Sequence, residues 1–297
     1  PWLTGGFLNV LKILELTIFD GKDPISGTLH PMQTGNVEGM ASFSDFLNAY
    51  KRQLAYYLEQ IIVADNTLDS LHGKLCPLPF ESLFIRDCVK NGKTSQEGGA
   101  RYNSTTLEIV GLPNVIDSLA VIDTLIYHEK NLSWQQLKKM LLNNYEGNES
   151  FRLSFREKYP KYGNDIEYVD GFGRDLVDFL YDAIRPWRSP RGGAYRFALY
   201  SVSSHILFAR KTGATPDGRK KFDLLADGGV SCAQGRDKQG LTALLNSIVQ
   251  LDPYKPLGST LLNVKISPSL FLGENRKKLI DAIKTYFLKK GQHIQFN

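Results

Sequence analysis

The sequence predicts an α/β fold, and three observations carry that prediction. Several long stretches repeat apolar residues at three- and four-residue steps, the mark of amphipathic helices. Short β-rich apolar runs, such as residues 105–110 and 260–266, lie between those stretches. Glycine-rich polar clusters follow one another from Arg191 to Asp237, where the backbone must turn sharply or come close to something else. Loops of that kind commonly hold binding and chemistry.

The elements follow in order. Residues 7–19 read as a helix, with Leu8, Leu11, Leu14 and Ile18 on one face and Asp20-Gly21 as its stop. Ser42 caps a long helix whose stripe runs through Phe46, Tyr50, Leu54, Leu58 and Ile61. Cys76-Pro-Leu-Pro79 breaks it, and a further helix is expected over residues 80–89. A strand over 105–110 and a helix over 115–127 come next. Ser133-Trp-Gln-Gln136 is a capping box that opens a helix to Leu142. Residues 160–165 form a turn and 168–181 a helix. Beyond the glycine-rich loops, 260–266 reads as a buried strand, 277–288 as a helix and 293–296 as a strand. Without a repeat or a linker, residues 1–297 are expected to form a single domain.

Composition excludes several classes. Of the 297 residues 42% are hydrophobic and 23% charged, the balance of a soluble globular protein. The net charge of +5 is mild, and the densest basic group, Arg276-Lys277-Lys278, opens an amphipathic helix as a solvated face. Neither nucleic acid nor a membrane is an expected partner. Cys76, Cys88 and Cys232 lack metal-ligand spacing, which favours the reducing cytoplasm. Pro1 in place of Met, and a strand-like alternation running up to Asn297, give the expectation that the chain is a fragment.

Motifs with chemistry of their own are weak. Ser201 and His205 are four residues apart, but no serine lies in a Gly-x-Ser-x-Gly elbow. The five histidines are dispersed. Gly171-Phe-Gly173 lacks the third glycine of a dinucleotide fingerprint and lies inside a helical pattern. Thr215-Pro-Asp-Gly-Arg219 is at face value a favoured turn. Cys88 is expected in the core, and Cys232, set among glycines, has no assignable base.

Taken together and in order, however, the motifs resemble a family. Phe7-Leu-Asn-Val-Leu-Lys-Ile-Leu-Glu15, Glu97-Gly-Gly-Ala-Arg-Tyr-Asn103, Pro160-Lys-Tyr-Gly-Asn-Asp165, Pro190-Arg-Gly-Gly193, Gly213-Ala-Thr-Pro-Asp-Gly-Arg219, Leu261-Leu-Asn263 and His293-Ile-Gln-Phe-Asn297 are similar to the second half of the catalytic domain of glycyl radical enzymes, the pyruvate formate-lyase superfamily. The resemblance implies part of a ten-stranded α/β barrel surrounded by helices. It also implies a protein-derived glycyl radical, made by an S-adenosylmethionine-dependent activase, that oxidises a cysteine to a thiyl. That thiyl abstracts hydrogen from a small-molecule substrate.

The chain departs from the family pattern at both radical positions. Neither the Gly-Cys-x-Glu loop nor an Arg-Val-x-Gly-Tyr segment occurs in it, so no catalytic residue is carried over and the chain alone is expected to be inactive. By resemblance Trp2, Gly6, Tyr200, Asn263 and Ile266 belong to the pocket wall, while Arg191, Gly192, Gly193, Asp217 and Arg219 shape loops around the barrel mouth. The pattern is closer to the dehydratases and C–C, C–N or C–S lyases than to true pyruvate formate-lyases, without separating their substrates. A homodimer in an anaerobe's cytoplasm is implied. A non-catalytic remnant or binding module of the same fold is the alternative, and an unrelated α/β binding protein a more distant one.

Overall fold

The computed structural model describes residues 3–297, with side chains from residue 5 onward. Strand β1 (Leu3–Asn9) pairs in parallel with β2 (Thr105–Val110), and β2 in parallel with β3 (Tyr195–Leu199). On the far side of β3 the sheet continues: Gly258 N–H donates to Phe197 O, and Leu199 and Thr260 form a parallel bridge. The same stretch leads into β4 (Asn263–Val264), which pairs in parallel with β5 (Gln295–Phe296). The strands therefore succeed one another in chain order along a parallel arc. Parallel strands need long crossovers and helical cover on their faces. All of β2 is buried, as a central strand of that kind requires.

Helix α1 (Val10–Ile18) starts at Asn9, whose side chain accepts from Lys12 N–H. Helix α2 (Phe43–Leu75) opens on a capping box between Ser42 and Asp45, and its stripe through Phe46, Tyr50, Leu54 and Leu58 packs into the core. Helix α3 (Leu112–Ile122) follows β2 through Gly111, which sits at φ +90 with a nascent Cβ 3.1 Å from Leu225, and continues as a wider π turn over Asp123–His128. Every residue of α3 is buried, so its polar side chains Asn114, Asp117 and Ser118 must find partners inside the protein. Helices α4 (Trp134–Leu142), α5 (Glu149–Glu157) and α6 (Glu167–Ile184) complete this cover. Beyond β3 come α7 (Ser204–Ala209), α8 (Leu241–Val249) and α9 (Gly273–Leu288). Each fully buried Leu, Ile or Val contributes about 1.5–3 kcal/mol through removal from water.

The α/β expectation holds, with local differences. Residues 7–9 belong to β1 rather than to the first helix, because β2 offers a partner that the helical periodicity does not reveal. The expected helix over 80–89 is reduced to single turns at Pro79–Ser82 and Cys88–Asn91. The expected strand over 260–266 is regular only at Asn263–Val264. Strand β3, hidden between glycine-rich clusters, was not anticipated. Gly173, half of the weak dinucleotide pattern, is a packing glycine: a Cβ there would lie 2.5 Å from Leu251 and 2.8 Å from Ile116 on α3.

Candidate active site

A cavity of about 690 Å³ lies at the carboxyl ends of these strands, where α/β proteins place their ligands. Its wall combines the loop over residues 222–237 with Asn263, Val264 and Lys265, while His205 and Asn297 complete the rim. Among the described residues no group of His, Cys, Asp or Glu is arranged to hold a metal ion, and no helix is long and apolar enough to cross a membrane.

The loops of this wall are fixed by buried charge. Asp217 is fully buried and accepts from Thr215 Oγ1 at 2.6 Å, from Asn114 Nδ2 at 2.9 Å and from its own loop at Arg219 N–H. Burial alone would raise its carboxyl, but Arg236, those hydrogen bonds and Arg219 hold it below the usual aspartate value. Arg219 directs its terminal nitrogens at the carbonyls of Thr212, Gly213, Lys220 and Asp223. Arg236 likewise donates to the carbonyls of Asp217 and Arg156. Glu15 on α1 accepts from Gly213 N–H at 2.7 Å and pairs with Lys12, although burial pushes its carboxyl up. Asn114 Oδ1 accepts from Ala226 N–H at 2.7 Å, so one α3 side chain ties two loops together.

The same helix carries Asp117, whose Oδ1 accepts from Tyr162 N–H at 2.8 Å. Burial pushes this carboxyl up to about 7, against the opposing pull of Lys161 and Arg236. Burial also raises the Cys232 thiol, so this cavity-lining cysteine is not an activated nucleophile. Ser201 and His205 approach to only 3.4 Å, and Ser201 is fully buried, which removes the nucleophilic pairing.

The anticipated residues fall into three places. Asp217, Arg219 and Asn263 meet at the cavity. Arg191, Gly192 and Gly193 lie at the opposite, amino-terminal end of the strands. There Arg191 Nε contacts both oxygens of Asp69 at 2.9 and 2.8 Å, and its Nη2 donates to Thr105 Oγ1. Gly193 is fixed by backbone approach, since a Cβ would stand 1.7 Å from Asn103 O. Tyr200 and Ile266 are half-buried beside β3 and β4 without lining the cavity, and Gly6 faces Ile61 of α2, where a Cβ would stand 2.3 Å from its Cδ1. Trp2 lies outside the described residues. Asn114, Asp227 and Arg236 were not anticipated; Asp227-Gly-Gly and Gly-Arg236-Asp are visible in the sequence, but nothing local distinguishes them from ordinary turns.

A family model described as pyruvate formate lyase-like matches residues 1–209. The chain belongs to that family. A second model, for the glycine radical, matches residues 226–297 of this pyruvate formate lyase-like chain, so the two matches flank the loop that carries Asp217 and Arg219. Trans-4-hydroxy-L-proline dehydratase from Clostridioides difficile is 34% identical over 98% of the chain and 37% of its own length. (2S)-3-sulfopropanediol dehydratase from Klebsiella oxytoca is 32% identical over 100% of the chain and 36% of its own length. The glycerol-bound B12-independent glycerol dehydratase from Clostridium butyricum matches with a TM-score of 0.93 at 38% identity, covering 100% of the chain and 38% of that structure. The chain spans little more than a third of the length of these relatives. Its parallel arc is thus part of the family's barrel. The residues present suit a protein-held radical in one respect: the cavity wall is made of loops locked by buried hydrogen bonds, which hold its shape.

Proposed function

We propose that residues 1–297 form one piece of the catalytic domain of a glycyl radical enzyme, a radical dehydratase or C–C, C–N or C–S lyase acting on a small polar metabolite. One observation carries this reading: dehydratases of three different small hydroxylated compounds match the chain from end to end, one of them at a TM-score of 0.93. The glycyl radical supplies, through a cysteine thiyl, the acceptor for a substrate hydrogen atom. The residues of this chain bind and enclose. Asp217, Arg219 and Arg236 hold the loops, and the wall from Asp227 to Asn263 faces the substrate. The family resemblance, rather than a position at the cavity, is what supports Gly6, Tyr200, Ile266 and Trp2, the last outside the described residues, as further pocket wall. S-adenosylmethionine is used by an activating partner only. The working protein is a homodimer in the cytoplasm of an anaerobe.

The test is anaerobic treatment of the full-length protein with its activase and S-adenosylmethionine. The expected results are a glycyl radical doublet in the electron paramagnetic resonance spectrum and conversion of glycerol, propane-1,2-diol, trans-4-hydroxy-L-proline or a hydroxylated sulfonate. No doublet under conditions that activate a known dehydratase would overturn the enzyme reading in favour of a non-catalytic one.

A further inference from the structure

Helix α2 is longer than the sheet it covers. It runs antiparallel to β1: Tyr50 Oη donates to Val10 O at 3.2 Å, a Cβ on Gly6 would stand 2.3 Å from Ile61 Cδ1, and one on Gly5 would stand 3.1 Å from Asp65 Oδ2. Asp65 then accepts from Tyr195 Oη and Asp69 pairs with Arg191, so by that point the helix has reached the amino-terminal ends of the strands. The residues from Ser70 to Leu75 carry it about 9 Å further. Along this stretch its buried stripe ends, and after Ile62 only Asp69 is buried. A second apolar stripe, Leu68, Leu71 and Leu75 at i, i+3 and i+7, is exposed instead. The turn that follows is tied to the same helix end. Ser82 Oγ accepts from Ser95 N–H at 2.9 Å, Leu78 N–H donates to Gln96 Oε1 at 3.2 Å, and a Cβ on Gly73 would stand 2.9 Å from Gln96 O. This fixed lobe presents Phe80 and Phe84, 75 and 78% exposed with their rings edge-on at 5.5 Å, together with Leu83. The two rings alone expose on the order of 250 Å². With the leucines the apolar surface reaches the size that marks an interface.

We infer that this lobe is the docking face for the part of the full-length polypeptide that precedes Pro1, which covers Leu71, Leu75, Phe80 and Phe84 with an apolar face of its own. Two observations select that occupant. The chain spans only 37 and 36% of the length of two relatives, so roughly two-thirds of such a protein lies outside these residues. Strand β1 begins at Leu3 opposite Thr105, at the same end of the sheet as the lobe, so a preceding segment approaches from this side. A segment joined to β1 is held near the lobe at high effective concentration, an advantage that a second copy of the chain lacks. The inference rests on the reading of residues 1–297 as one piece of a longer catalytic domain, and goes beyond it by assigning the surface on which the rest is built.

The experiment is site-specific photo-crosslinking in the full-length protein. Phe84→benzoylphenylalanine keeps an aromatic ring at an exposed position, and Leu75→benzoylphenylalanine probes the helix end independently should the first variant fail to fold. After irradiation, denaturing electrophoresis separates bridges within a subunit from bridges between subunits, and tandem mass spectrometry locates them. The expected result is a bridge within one subunit to a peptide from upstream of Pro1, with no species of doubled mass. A bridge between subunits would hand the surface to a second copy and overturn the assignment. A bridge only to residues 1–297 or to sequence beyond Asn297, or none at all from either probe, would overturn it as well. The intact mass of the subunit, measured first, tests the underlying reading separately. A subunit without residues upstream of Pro1 sinks both, whereas a longer subunit with an uncovered lobe sinks the docking face alone.

Discussion

Replacing Asp217 by Asn should loosen the cavity wall while leaving the sheet intact. The side chain changes little in volume, but one of its oxygens becomes an NH2 that faces either Arg219 N–H or Asn114 Nδ2, both of which can only donate. The charge opposite Arg236 and Arg219 is lost as well. Removing one partner of a buried pair costs about 3–5 kcal/mol, and a buried unsatisfied donor alone costs about 1–3 kcal/mol. Taking about 3 kcal/mol, local opening of the loop becomes about a hundred-fold more frequent. Amide hydrogen exchange of the full-length protein, followed by mass spectrometry, reads this directly for residues 213–219 and 234–238. The pH dependence gives a second signature. Asp217 titrates below its ordinary value of 3.8 in the folded protein, so its contribution is complete above about pH 4 and is lost as the pH falls through the lower native value. The Asn variant has no such loss. An exchange rate within about three-fold of wild type, against the hundred-fold estimate, would refute the view that this carboxylate organises the wall.

Further outcomes follow from the same physics. Asp69→Asn removes the charge from a pair in which Arg191 is 7% exposed, and about 3–5 kcal/mol of local stability should go with it, seen as lost amide protection over residues 98–105 and 191–195. Gly193→Ala places a methyl 1.7 Å from Asn103 O and should prevent soluble expression or lower the melting temperature sharply. Gly192→Ala, at φ +82 with open space around it, should cost only about 1–2 kcal/mol. Asp117 has a folded-state pKa raised by burial to about 7, so its contribution is complete below about pH 4 and is lost as the pH rises through 7. Asp117→Asn keeps the acceptor for Tyr162 N–H and should be more heat-resistant relative to wild type at pH 8 than at pH 5; equal differences at the two values would sink that assignment.

The local elements were legible where a chemical signal is local. The Ser42 cap and the Ser133 box place two helix starts to the residue, and Thr105–Val110 reads as a strand because Thr105, Thr106, Ile109 and Val110 are β-branched, although Glu108 breaks the apolar run. Strand β1 was not legible because Thr4-Gly5-Gly6 has neither alternation nor β propensity; its pairing is imposed by β2, about a hundred residues away in the chain. Strand β3 was missed because the glycines around it read as continuous loop, although they serve close backbone approach. The family followed from the order of the motifs, a long-range property that no single turn carries. The cavity was only partly legible: Asn263 lies in a quoted motif, whereas Asp227, Arg236 and Asn114 acquire their roles through contacts with residues 36, 19 and 103 positions away.

The division of labour within the site has a physical basis. Arg191, Asp217 and Arg219 are charged residues of motifs that identify the family, and most of their polar atoms bond to the protein itself. Buried charges need such satisfaction, and a side chain so committed has little capacity left for a ligand. Asn263 also borders the cavity, placed by a strand and bonded through its amide nitrogen to Asp227. On this view substitution at Asp217 or Arg219 should act on the cavity through the loops it loosens rather than through a lost ligand contact.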